Sequence, residues 1–269
     1  MESLHLLLRI LLRLEEKSVG TAGVLPVHLR QLRSGDNQQA GMIMAEGGRL
    51  CWASSPRASS RLSDLLLAVS GISRGQIEKV FQFCRRTGKP LGEHMVSLGI
   101  LTRDQLRDAL LSHTTAALFS LGRLMEIGEA SPAHFRASDD RTYNPMFTFS
   151  ALELVVEMLQ REPDLRVAAG PAPPTFERWT PQVQHAICFL ETAWEDIPGI
   201  PIRYRGAVDM SLGDALQLFR HCRDPAESPA LAATASHPAG TVVRHGDQSW
   251  LASYSAPHLC LFRVDSPML

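Results

Sequence analysis

Charge of one sign is what these 269 residues most plainly lack. Twenty-seven basic side chains face 28 acidic ones, a net charge of −1. No global field draws such a chain to nucleic acid or to an anionic membrane. The one local concentration of positive charge, Arg85, Arg86 and Lys89, reads as the solvated end of a helix. Cysteine is sparse too: Cys51, Cys84, Cys188, Cys222 and Cys260 are widely spaced and odd in number. No Cys-x-x-Cys occurs, which excludes zinc-ribbon and dithiol redox motifs. Most of the five stand among apolar neighbours, as in Ala186-Ile187-Cys188-Phe189-Leu190, so buried free thiols in the reducing cytoplasm are expected.

Long apolar runs are also missing. The leucine-rich stretch Met1 to Lys17 carries Glu2 where a signal peptide has positive charge, and Arg9 and Arg13 interrupt it. It reads as an amphipathic first helix. No other stretch approaches the roughly 20 uncharged apolar residues of a membrane span.

Catalytic signatures are absent in the same way. There is no Gly-x-x-x-x-Gly-Lys-Ser/Thr, no His-Glu-x-x-His and no Gly-x-Gly-x-x-Gly; Gly71-Ile72-Ser73-Arg74-Gly75 has the spacing Gly-x-Ser-x-Gly, but its serine opens the helix-capping pattern Ser73-x-x-Gln76. None of the ten histidines pairs with another at the (i, i+4) spacing of a helical metal site, and His221-Cys222 stands isolated. Glu153 and Glu157 share a helix, but read as a capping and a solvated glutamate rather than an acid/base pair. Asp139-Asp140 lacks the ligand spacing of a calcium loop. Trp52, Trp179, Trp194 and Trp250 read as packing residues. The expectation is no catalytic residue, no metal and no cofactor.

What is there is an alternation of helix and strand signals. Leu4, Leu7, Leu8, Leu11 and Leu14 recur at helical spacing. Val24 to Leu32 alternates as a strand, with Pro26 making it an edge or an irregular one. Met42-Ile43-Met44 and Leu50-Cys51-Trp52 flank Gly47-Gly48, a hairpin signal. An internal repeat then follows at an offset of 29 residues (91 − 62 = 29). Leu66 meets Met95, Ile77 meets Leu106, and Val80-Phe81 meets Ala109-Leu110. Ser73-x-x-Gln76 and Thr102-x-x-Gln105 are both capping boxes. Each copy reads as two helices joined by a capped turn, too small to bury its apolar face alone, so the copies should pack on each other.

Helix is expected through Thr114 to Ile127, a polar loop at Asp139 to Asn144, a short strand at Met146 to Phe149, and a capped helix at Ala151 to Gln160. The four prolines of 163–175 suggest an interdomain linker. Thr180-Pro181 reads as the start of a helix running to about Asp196, with Val183, Ala186, Ile187, Leu190 and Trp194 on one face. A strand at Ile200 to Tyr204, a helix from Ser211-x-x-Asp214 and a long Ala/Pro-rich loop follow. Thr241 to His245, Ser249 to Tyr254 and Leu259 to Val264 read as a three-stranded antiparallel meander. The fold class is thus α+β or α/β in two domains, 1–162 and 176–269.

The leucine-rich first helix, the hairpin Glu46-Gly47-Gly48-Arg49-Leu50-Cys51-Trp52-Ala53 and the late Phe147-Thr148-Phe149 segment give residues 1–160 a resemblance to the PATAN (PatA N-terminal) domain. That resemblance implies an interaction module of bacterial signalling proteins. The repeat, about 61–113, resembles the N-terminal domain of type II secretion and type IV pilus ATPases. Some members of that family bind cyclic di-GMP with two Arg-Leu-Gly motifs. Here Arg61 and Leu62 survive in the first copy, while Ser63 and Ser70 replace glycines and Cys84 falls near the glutamine position. Leu91, Gly92 and Gly99 survive in the second, with Pro90 for the arginine and His113 for the glutamine. Much of the ligand signature is gone, so the residues this resemblance would assign to a nucleotide are Arg61, Leu62, Leu91 and Gly92. Residues 176–269 resemble, in element order alone, the roadblock/longin group, although that group usually has five strands. Its members bind Ras-like small GTPases or dimerise.

Together these features point to a cytoplasmic, non-enzymatic adaptor in bacterial signalling, cell polarity or motility. It would act by protein–protein interaction, with a small GTPase or a roadblock-domain protein as partner in GTPase regulation. Homo-oligomerisation stays open. The alternative is a degenerate cyclic di-GMP sensor.

Overall fold

The computed structural model describes residues 2–29, 39–59, 61–138, 144–171, 185–206, 210–223, 241–245, 247–255 and 257–264. These form two compact units, Glu2–Phe149 and Ser150–Leu269. The division falls before the helix at 151, not at 162 as the sequence suggested. The loop expected at Asp139 to Asn144 lies, save for Asn144, outside the described residues.

The first unit begins with α1 (Glu2–Ser18), whose five expected leucines are all buried. Each such side chain removed from water contributes roughly 1.5–3 kcal/mol. β1 (Ala22–Leu29), β2 (Gln39–Glu46) and β3 (Arg49–Ser54) form an antiparallel sheet in the order β3-β2-β1-β4, with β4 at Ala130–Pro132 and β5 (Arg136–Ala137) also pairing β1. The Gly47-Gly48 hairpin forms as expected: Glu46 pairs Arg49, and both glycines have positive φ, 59° and 76°. Of the two readings of the Pro26 strand the structure bears out the irregular one and not the edge: β1 is an inner strand, and its register with β2 shifts between Val27 and His28. Its second neighbour changes from β5, at Gly23 and Val24, to β4, at Val27 to Leu29. Pro26 sits between these two partners, where its missing N–H costs no ladder bond to either, and its carbonyl accepts from the Ala133 N–H at 2.9 Å.

The repeat folds as two copies of a helix pair: α2 (Leu62–Ser70) with α3 (Arg74–Thr87), then α4 (Leu91–Ser97) with α5 (Arg103–Glu126). Both capping boxes are present. Equivalent positions of the copies share one core, Leu66 and Ile77 from the first with Met95 and Leu106 from the second. α5 is continuous for 24 residues. Its first half completes the repeat and its second half packs on α1, where a Cβ on Gly122 would lie 2.5 Å from Leu7 Cδ1. α5 thus belongs both to the repeat and to the sheet-bearing part, and Phe147 also packs against the repeat core. The strand expected at Met146–Phe149 is instead a 3₁₀ turn, Pro145–Phe147, capped by Asn144. Only Phe149 pairs, bridging Leu50 at the edge of β3.

The second unit opens with α6 (Ala151–Arg161), where the Ser150 hydroxyl accepts from the Glu153 N–H at 3.1 Å. Two expectations are then corrected. Pro163–Ala169, read as linker, is a short helix, α7, with proline at its first turn where no N–H is needed. The helix expected from Thr180 to about Asp196 is, in its described part, the strand β6 (Ala186–Glu191) and a turn into β7 (Gly199–Arg205). The 3.6-residue spacing of Ala186, Ile187 and Leu190 was real, but Cys188 and Phe189 fill the positions between them. A helix would leave those on its polar face, whereas a strand buried on both faces takes them all; residues 186–190 are all buried. α8 (Leu212–Arg223) follows, then β8 (Thr241–His245), β9 (Gln248–Ser255) and β10 (His258–Val264), the expected meander. The sheet has five antiparallel strands in the order β7-β6-β10-β9-β8.

Candidate functional site

A cavity of about 810 Å³ opens where the β2–β3 hairpin faces the repeat. This is within the roughly 300–1,000 Å³ of small-molecule sites. Met42 and Met44 of β2 and Trp52 and Ser54 of β3 form one wall; Leu62, Leu91, Gly92 and Leu106 form the other. Asn144 and Phe147 line it from the 3₁₀ turn. That turn is held in place by Arg49, whose guanidinium donates to the Thr148 hydroxyl (2.8 Å) and carbonyl (3.0 Å). A smaller space of about 340 Å³ shares Glu93, Asn144 and Phe147 and adds Ser97 and Arg103.

Leu62 and Leu91 are equivalent positions of the two repeat copies, and both reach this cavity. Gly92 lines it as well, and has a packing role besides. A Cβ at that position would lie 2.4 Å from Leu106 Cδ1, so the glycine lets α4 approach α5. Arg61 does not line the cavity: it is exposed at the N-cap of α2 and makes no side-chain cap bond there. Three of the four residues named from the sequence are thus brought together and the fourth is not.

Trp52, Lys89 and Cys51, read from the sequence as a packing residue, part of a solvated helix end and a buried thiol, also line the cavity. Trp52 lies against the His113 ring, centroids 4.4 Å apart. Lys89 forms no ion pair among the described residues; its ammonium lies 6.0 Å from the Phe83 ring centroid, at the limit of a cation–π contact. Cys51 also lines the cavity, and burial, reinforced by Glu46, pushes its thiol up to about 12. It is a neutral, soft surface at physiological pH rather than a nucleophilic thiolate.

All five cysteines are free and buried. Cys188 and Cys260 face each other across β6 and β10, sulfurs 2.8 Å apart, and Cys188 is held protonated by that contact and by burial. At the end of the same sheet Tyr254 donates to Glu191 at 2.7 Å, and Arg223 pairs with Glu191 while lying 4.5 Å over the Tyr254 ring. This cluster ties α8 to β6 and β9. Glu157, weighed against Glu153 as an acid/base pair, is ion-paired with Arg161 one turn on. Among the described residues no group of three or more His, Cys, Asp or Glu is placed to hold a metal, and no helix is long and apolar enough to cross a membrane. Compared with known protein families, curated proteins and solved structures, the chain matches none of them.

Proposed function

We propose that the chain is a non-enzymatic adaptor of bacterial signalling that works in the cytoplasm by docking another protein on its second unit. The open edge of the five-stranded sheet carries this reading. β8 pairs only with β9 among the described strands, and Val242 on it is 42% exposed. A strand edge of this kind presents a row of unpaired N–H and C=O groups to a partner strand. The sheet also has the five strands usual in the roadblock/longin group, which favours a Ras-like small GTPase or a roadblock-domain protein as that partner. Regulation of GTP hydrolysis would then come from holding switch loops in place, with the chemistry left to the GTPase. The test is capture of such a partner by the 269-residue chain, compared with Val242→Lys, which places a charge on the edge.

The cavity supports a second reading, a degenerate cyclic di-GMP sensor, because Leu62, Leu91 and Gly92 share its wall. Calorimetric titration decides it. Saturable binding lost in Arg61→Ala favours the sensor, and absence of heat at millimolar ligand removes it.

A further inference from the structure

We infer that the cavity between the hairpin and the repeat is a binding site for a single-chain amphiphile with one negative charge, of the long-chain carboxylate class. The walls select for this chemistry. The sheet side offers two methionines and an indole, soft and adaptable surfaces for an alkyl chain. The repeat side offers Leu62, Leu91 and Leu106, which complete an apolar sleeve. Only two charged residues, Lys89 and Glu93, line the cavity among those described. Among the described residues Lys89 has no carboxylate partner, and a ligand carboxylate would supply one. Glu93 makes a second negative charge on the ligand unfavourable. A cyclic dinucleotide brings two phosphates and several base edges, for which this wall has one cation and few donors. An alkyl carboxylate brings one charge and an apolar tail, matching what the wall presents. The cavity is lined by residues of the first unit alone and the sheet edge belongs to the second, so failure of either proposal leaves the other intact.

The experiment is titration of the full chain with laurate below its micelle concentration, read by calorimetry, with dodecanol and cyclic di-GMP in parallel. The expected result is one laurate per chain. Lys89→Glu should weaken laurate about five-fold or more and leave dodecanol unchanged, since only the head-group contact is reversed. Met42→Trp, which fills the cavity from β2, should abolish both. Lys89 is exposed, so its variant carries the test even if Met42→Trp disturbs the strand. The proposal is overturned by no saturable laurate binding, by many laurates per chain, or by Lys89→Glu binding laurate as tightly as the parent. Retained laurate binding in a folded Met42→Trp, or binding of cyclic di-GMP with none of laurate, overturns it equally.

Discussion

Gly92 shows how one missing side chain can be read in two ways. In the sequence it belongs to a ligand motif; in the structure it also spaces α4 from Leu106, which is 1% exposed and so has little room to move. Gly92→Ala should therefore destabilise the chain by about 1–3 kcal/mol, the cost of overpacking, despite alanine's better helix propensity. Urea unfolding measures this, and an unchanged or higher midpoint would show that the repeat core yields at that point. The first copy has Ser63 at the equivalent position, so the two copies are not packed alike there. The buried thiols make a second prediction. Cys51 and Cys222 are raised from an ordinary 9.0 to about 12, mainly by burial. Unfolding above pH 9 then exposes thiols that ionise, so the unfolded state binds fewer protons than the folded one. The stability they contribute is complete below pH 9 and is lost between pH 9 and 12, at about 1.4 kcal/mol per pH unit for each thiol. Urea midpoints measured from neutral pH to pH 10.5 should be flat at first and fall beyond 9; a rise over that range would contradict the assignment.

At the scale of elements, the repeat depends on its caps. The Ser73 and Thr102 hydroxyls each accept from the N–H three residues on, and each residue donates its own backbone N–H to the Oε1 of that glutamine. Ser73→Ala and Thr102→Ala should each cost about 1 kcal/mol, seen as a lowered urea midpoint. A loss below 0.2 kcal/mol in both would mean that the shared core alone fixes the helix starts. These elements were legible because the signals are local. A hydroxyl and a glutamine three apart, two glycines between alternating strands, and turn residues bounding the meander all act within a few residues. What could not be read depended on distant neighbours. Ala186 to Leu190 suits a helix or a doubly buried strand equally well until β7 and β10 are seen on either side of it. Pro26 argues for an edge until two short partners are found flanking it. Pro163 punctuates a linker or opens a helix, and only the packing of α7 decides. The site was half legible for the same reason. Leu62, Leu91 and Gly92 stood out through the repeat, but Met42, Trp52 and Phe147 join them only through the tertiary fold.

The whole molecule has two compact units with different openings: a cavity in the first and a strand edge in the second. Cys188 and Cys260 lie at the centre of the second unit's sheet, a buried and apolar cross-strand pair. β8 lies at the margin of that sheet, and the proposed partner would dock there. The most direct test is affinity capture from the cells that make the protein, using the 269-residue chain beside Val242→Lys. The account predicts that the parent chain retains a small GTPase or a roadblock-domain protein and that Val242→Lys loses it while remaining folded. Equal capture by both chains, or capture of no such partner by either, would contradict it.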